Sequence, residues 1–307
     1  MQHYWFLEDV HLDGVWLTIG SFDGVHQGHQ AIIRQLTAGA HAAGLPAVVL
    51  TFHPHPAAVL RGRRGPYYLT TPEERAECLA NLGVDVVVTH PFNQEVANLS
   101  AREFVARLQR HLNPSHIWVG PDFALGRGRE GDIPTLQRLG EEYGFTLNIA
   151  ESFRLDGRVV SSSWVRSALA DGDVESVQRL LGRPYQLAGR VVRGDGRGRN
   201  LGIPTANLDV WIERAMPKNG VYACQAHIDG QVWGAVANIG VRPTFHNQVM
   251  YPRLEAHLLE FDRDLYDRHI AVSFVARLRD EQRFSNVEAL VGQIHEDIER
   301  AKVILKG

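Results

Sequence analysis

Cysteine is scarce in this sequence. Cys78 and Cys224 are the only two among 307 residues. Their wide separation excludes a disulfide-stapled scaffold and a cysteine zinc site, and free thiols in a reducing compartment are expected. A surplus of basic charge is also missing. The net charge is −3 and the pI about 6.6, so no overall positive field invites nucleic acid. No apolar run approaches the roughly 20 residues that span a bilayer, so no membrane partner is expected. The first residues, Met1-Gln2-His3-Tyr4-Trp5, lack the basic-then-apolar order of a secretory signal, and a cytoplasmic protein is expected. Internal repeats and low-complexity segments are absent as well. Nothing in the sequence sets an oligomeric state.

What is present is ordinary in bulk and specific in pattern. Hydrophobic residues make up 44% and charged residues 22%, as in soluble globular proteins. The length predicts two domains, placed here at 1–183 and 184–307. In the first, strands are predicted at 16–19, 47–52, 84–89, 117–119 and 146–149, spaced by about thirty residues, the size of one βαβ unit. Thr71-Pro72-Glu73-Glu74 and Ser100-Ala101-Arg102-Glu103 read as capping boxes that open helices, and Gly83 is placed to end the first of these. Apolar strands separated by helices predict a doubly wound parallel sheet covered on both faces. After a helix at 174–181, closed by Gly182-Arg183-Pro184, the pattern changes. Short strands are predicted at 186–192, 221–228, 231–239, 253–261 and 270–278, with Asp229-Gly230 as a hairpin signal. They predict an antiparallel barrel or sandwich, with an amphipathic helix at 287–304 packed against it.

The densest chemistry lies in Gly20-Ser21-Phe22-Asp23-Gly24-Val25-His26-Gln27-Gly28-His29, between the strand at 16–19 and a helix predicted over 30–43. In an open α/β sheet that corner binds phosphates. Residues three apart share a helix face, so His26 and His29 can meet one bound group. Gly24 and Gly28 allow backbone and ligand to approach closely. Further segments point to the same edge. Ser161-Ser162-Ser163-Trp164-Val165-Arg166 puts three hydroxyls and a cation at a helix N-terminus, a second anion site. Phe52-His53-Pro54-His55-Pro56 has no carboxylate or cysteine cluster beside its histidines, so it reads as a ligand-lining loop rather than a metal site. Gly120-Pro121-Asp122-Phe123 follows the fourth strand.

In the second half, residues 189–207 form a basic, glycine-rich segment that includes Gly194, Gly198 and Gly202. Such a backbone can wrap a phosphate, but no Gly-Lys-Ser/Thr follows, so it is not a Walker A loop. It ends Pro204-Thr205-Ala206-Asn207. Asn238-Ile239-Gly240-Val241-Arg242-Pro243-Thr244-Phe245 and Leu254-Glu255-Ala256-His257-Leu258-Leu259 come next. By strand alternation alone Glu255 is a solvent-facing carboxylate.

The G-x-F-D-G-x-H-x-G-H pattern is similar to that of the nucleotidylyltransferase superfamily. With Phe-His-Pro-His-Pro and Ser-Ser-Ser-x-Val-Arg it resembles the FMN adenylyltransferase module of bacterial FAD synthetases. Pro-Thr-Ala-Asn and Asn-Ile-Gly-x-Arg-Pro-Thr-Phe resemble riboflavin kinases. The resemblance implies an α/β nucleotidylyltransferase domain followed by a mostly antiparallel β-barrel with a C-terminal helix. It implies a bifunctional enzyme that makes FMN from riboflavin and ATP in the barrel, then FAD and pyrophosphate from FMN and ATP in the first domain. His26 and His29 then hold the ATP phosphates and stabilise charge at the α-phosphorus, without a covalent step. ATP and phosphate contacts fall to Gly20, Phe22, Asp23, Gly28, Ser162, Ser163 and Arg166, and in the barrel to Gly194, Gly198 and Gly202. Thr205 and Asn207 help ligate Mg²⁺, and Glu255 takes the proton of the ribityl 5′-hydroxyl. Asp122, Phe123 and Arg242 are flavin-binding candidates.

The sequence departs from the family pattern in three places. Ser163 stands for the usual Thr, Val165 for Ile, and Ala124-Leu125 for Arg-Phe. On Ala124-Leu125 and Ser163 rests a rival expectation in which only the kinase activity survives. A flavin-binding regulator without turnover is a second rival, which His26, His29, Thr205, Asn207 and Glu255 oppose. Arg61-Gly62-Arg63-Arg64 reads as a solvated loop.

Overall fold

The five apolar runs of the first half become five strands of one sheet in the computed structural model, which describes residues 1–62, 65–194, 198, 201–241 and 252–306. The chain divides into two compact units, Met1–Ser162 and Ser163–Gly307.

In the first unit the strands are β1 (Gln2–Tyr4), β2 (Val15–Ile19), β3 (Ala47–His53), β4 (Val86–Pro91), β5 (Pro114–Val119) and β6 (Thr146–Ile149). All are parallel, in the order β1-β4-β3-β2-β5-β6. The helices are α1 (Gln27–Ala42), α2 (Pro56–Arg61), α3 (Pro72–Ala80), α4 (Gln94–Asn98), α5 (Ala101–Leu112) and α6 (Ile133–Tyr143). Strand alternation serves both faces. Ala47, Val49 and Val87 pack against Ile33 and Leu36 of α1 and Leu79 of α3. Val48, Leu50 and Val88 pack against Phe104 and Leu108 of α5 and Leu136 of α6. Both capping boxes form, at Thr71/Glu74 and Ser100/Glu103. A short antiparallel hairpin, β7 (Arg154–Leu155) and β8 (Arg158–Val159), ends the unit.

Chain order reverses at β2. The chain leaves it through α1 to β3 on one side, while β5 lies on the other. Ligands of doubly wound sheets bind at such a switch point, outside the carboxyl ends of the strands. The loops after β2 and β5 therefore share the position that both motifs anticipated.

Helix α7 (Ser162–Asp171) starts on the last residue of the first unit; in the second unit α7 and α8 (Val174–Leu181) precede β9 (Tyr185–Val192), β10 (Ala206–Val210), β11 (Gly220–Ile228), β12 (Gln231–Val241), β13 (Pro252–Leu258), β14 (His269–Arg279) and α9 (Val287–Lys306). The six strands close into an antiparallel barrel in the order β10-β13-β12-β11-β14-β9, which decides between barrel and sandwich. Asp229 and Gly230 both take positive φ, 51° and 75°, as a two-residue hairpin turn requires. Tyr185, Tyr222 and Phe274 fill the barrel. Cys224 is buried there too, and burial pushes its thiol pKa up, so it stays an unreactive thiol. Helix α9 covers the outside, where Ile298 and Ala301 meet Val221, Ala223 and Val236.

Candidate active sites

In the first unit, residues 20–29 fold as a tight strand-to-helix turn. Phe22 and Val25 adopt φ of 44° and 41°, an unfavourable region for bulky and β-branched residues. Burial compensates, because both side chains enter the core beneath α1. Asp23 is fully buried. Its carboxylate accepts from Leu69 N (3.0 and 3.1 Å), Thr70 N (3.1 Å) and Thr70 Oγ1 (3.2 Å), with the Arg75 guanidinium 3.9 Å away. A carboxylate so placed pins the 69–70 loop to the turn. Gly20 donates its N–H to Leu50 O at 3.1 Å and ends the strand.

His26 caps α1. Its Nδ1 accepts the N–H of His29 at 3.3 Å, so the neutral ring carries its proton on Nε2. The His26 and His29 rings stack with centroids 3.6 Å apart, and Phe22 braces His29 edge-on at 5.1 Å. The helix therefore starts at residue 27, earlier than its apolar periodicity predicts, because a histidine serves as the cap. A Cβ on Gly28 would stand 3.1 Å from His26 Cε1. A side chain there would press the ring from its place over the helix end by a few tenths of an ångström. Ser162 Oγ donates to Asp23 O at 2.9 Å, joining the serine segment to the same turn. Arg166 and Ser163 lie on α7, Arg166 one turn beyond Ser162.

The neighbouring loops are built as firmly. His55 caps α2 by accepting from Ala57 N at 3.0 Å, and its own N–H donates to the Tyr68 hydroxyl at 2.9 Å. Asp122 is exposed and Phe123 half-buried against the core. The departure at Ala124-Leu125 is accommodated. Leu125 exchanges two backbone hydrogen bonds with Gly131, and Arg127 N donates to Leu99 O.

In the second unit the chemistry lies on the outside of the barrel. Leu254, Ala256 and Leu258 point inward and are buried, so Glu255 and His257 face out. They do not face open solvent. A cavity of about 430 Å³ lies between this surface and the first turns of α9. Glu255 is flanked in register by Asn207 of β10 and Asn238 of β12, and all three line the cavity. Thr205, two residues before Asn207, lines it as well, as does Gly198. His257 Nδ1 donates to Pro204 O at 2.8 Å and so fixes the residue before Thr205. A Cβ on Gly194 would stand 2.4 Å from Asn207 Nδ2, so only glycine permits this backbone to lie on that side chain. Gly198 O accepts from Leu201 N and Ile203 N, with Gly202 in the turn between. A second cavity of about 380 Å³ adjoins, under the 261–266 loop, and Thr205 lines both.

Sequence reasoning missed three features here. β10 begins on the last two residues of the segment that reads as a phosphate loop. Asn238 lay in a quoted motif without a role. Arg279 and Asp297, paired within the larger cavity, are 18 residues apart with no local signal. Arg242, residues 243–245, and parts of the basic loops (63–64, 195–197, 199–200) lie outside the described residues. Among the described residues, no three or more His, Cys, Asp or Glu are grouped to hold a metal ion, and no helix is long and apolar enough to cross a membrane.

Comparison with known proteins agrees with this division. The family model described as FAD synthetase matches residues 9–164, and that described as riboflavin kinase matches 181–305. A Pseudomonas fluorescens protein named bifunctional riboflavin kinase/FMN adenylyltransferase is 45% identical, over 95% of this chain and 93% of its own. The Escherichia coli K12 protein of the same name is 40% identical, over 93% and 91%. A solved structure described as a macrolide-efflux protein from Streptococcus pneumoniae is 30% identical with a TM-score of 0.89, covering 98% of each chain. With the histidine turn in the first unit and a carboxylate-lined cavity in the second, the chain belongs to the bifunctional riboflavin kinase/FMN adenylyltransferase family.

Proposed function

We propose that riboflavin phosphorylation takes place at Glu255 and FMN adenylylation at the His26–His29 pair. The observation that carries the first assignment is the row Asn207–Glu255–Asn238, which sets one carboxylate between two amides in a covered cavity. Riboflavin occupies the larger cavity with its 5′-hydroxyl at Glu255. The carboxylate takes the hydroxyl proton, the oxygen attacks the γ-phosphorus, and the β–γ bridging oxygen leaves with ADP. The second cavity, across Thr205, takes the nucleoside end of that ATP. The Thr205 hydroxyl and Asn207 amide oxygen are hard donors on one face, suited to Mg²⁺ shared with phosphates. Bound there, Mg²⁺ would neutralise charge on the transferring phosphoryl group.

In the first unit His26 Nε2–H, His29 and the N-terminus of α1 meet the ATP phosphates. A phosphate oxygen of FMN attacks the α-phosphorus, and pyrophosphate departs. Asp23 holds the turn in shape, while Ser163 and Arg166 take the outer phosphates on the strength of the sequence resemblance alone. Asp122 and Phe123 are assigned to the flavin of FMN. We assign residues 1–183 to adenylyl transfer and 184–307 to the kinase, and place the enzyme in the cytoplasm.

Incubation of the purified chain with riboflavin, ATP and Mg²⁺ tests the assignment. FMN should accumulate before FAD. Failure to form either product would overturn it.

A further inference from the structure

The larger cavity has a second polar feature, away from Glu255. Asn207, Glu255, Asn238, Val221 and Arg279 are successive register partners on β10, β13, β12, β11 and β14, and all line the cavity. Arg279 is three strands from Glu255, which at about 4.8 Å per strand is roughly 14 Å around the barrel. Between them the barrel lines the cavity with Asn238, Val236 and Val221 and α9 lines it with Leu290 and Ile294, while Glu281 and Gln282, next to Arg279 in the chain, line it too.

Arg279 is held rigidly. Its Nε donates to Asp297 Oδ1 and Oδ2 at 3.0 and 2.9 Å, Nη2 to Oδ2 at 2.7 Å, and Nη1 to Asp280 O at 3.0 Å. Asp297 is only 1% exposed. A guanidinium has five N–H groups. Three are used by these partners, and among the described residues two remain for an occupant. Because the buried carboxylate balances its charge, Arg279 presents direction without net charge. Such a group suits a neutral carbonyl oxygen better than a phosphate, which draws uncompensated cations.

We propose that Arg279, positioned by Asp297, recognises a carbonyl oxygen on the pyrimidine edge of the flavin. This rests on the reading that riboflavin fills the cavity with its 5′-hydroxyl at Glu255. The hydroxylated chain then lies by Glu255 and Asn238, the ring system by Val221, Val236, Leu290 and Ile294, and the imide edge by Arg279. Arg279 is thus a specificity residue for the kinase half-reaction, and Asp297 a positioning residue.

The test is steady-state kinase kinetics on the full chain with riboflavin and with 2-thio- and 4-thioriboflavin, in which sulfur, a weak acceptor, replaces one ring carbonyl oxygen. Wild type should show a roughly 10- to 100-fold higher KM for one thio analogue, as for loss of a charge-assisted hydrogen bond. Arg279→Lys keeps the charge but loses the planar fork. The double variant Arg279→Met/Asp297→Leu keeps the packing without leaving a buried charge. In both, the riboflavin KM should rise by a similar factor, kcat should fall far less, and the oxo-over-thio preference should vanish. A riboflavin KM within twofold of wild type in both variants, or a preference that survives in them, would overturn the inference. Glu255→Gln is measured alongside. If it phosphorylates riboflavin at the wild-type rate, the placement of the 5′-hydroxyl is what fails.

Discussion

Asn207 and Glu255 are direct partners across two antiparallel strands on the outer face of the barrel. That pairing gives a strand carboxylate a fixed neighbour and a covered cavity. Replacing Glu255 by Gln preserves shape and removes the base. FMN formation should slow by roughly 10²- to 10⁴-fold, while FAD formation from supplied FMN continues. Product analysis by chromatography with each flavin as the starting substrate checks this. Equal loss of both activities would contradict separate sites.

Gly28 controls the other centre. Gly28→Ala sets a methyl 3.1 Å from His26 Cε1 and pushes the ring from its cap. FAD formation should drop by about tenfold or more, since small misplacements near reacting groups carry such losses. His29→Ala should cost more. Riboflavin phosphorylation should persist in both. Pyrophosphate release from ATP and FMN reads the first activity, and ADP release with riboflavin reads the second.

Asp23 is a stability residue by its placement. Asp23→Ala leaves the fully buried Arg75 without its carboxylate and the 69–70 backbone without an acceptor. Loss of one partner in a buried pair costs about 3–5 kcal/mol. Urea unfolding followed by tryptophan fluorescence should show the midpoint fall by a corresponding amount. An unchanged midpoint would remove Asp23 from the framework of the turn.

The β1–β4 edge should be sensitive to acid. Burial holds the pKa of His90 below its ordinary value, with Glu8 opposing, and burial likewise lowers that of His3. His90 Nδ1 accepts the N–H of Leu7 at 3.3 Å, which protonation at that atom would abolish. A histidine depressed in the folded state leaves stability intact above its unfolded pKa of about 6.5. Below that pH the unfolded chain takes up the proton first, and stability is lost until the folded pKa is passed. Thermal melts from pH 7.5 to 5 should show a falling Tm, and His90→Gln should flatten the slope. An unaltered slope in the variant would show that His90 is not the group responsible.

Much of this was legible because the relevant signals are local. Val48, Val49 and Leu50 announce a strand buried on both faces, and Thr71 and Glu74 announce a capped helix within four residues. The histidine turn and Pro204–Asn207 are contiguous motifs. What escaped is what the chain assembles from distant parts. β1 is three residues long, too short for any periodicity. Alternation placed Glu255 correctly on an outward face, but it could not show α9 returning to cover it. The Asp23 carboxylate accepts from backbone groups of Leu69 and Thr70, a contact with no trace in the motif itself.

Two ways of dealing with unpaired strand edges coexist in this chain. The barrel closes, so β9 and β10 bond to each other and offer no edge for another chain to extend. The open sheet cannot close, and its outer positions go to its shortest strands, β1 with three residues and β6 with four. A short edge is a poor template for intermolecular pairing. The longest strand of that sheet, β3, is paired on both sides, by β2 and β4, so the strand order itself keeps its apolar sequence from templating another chain.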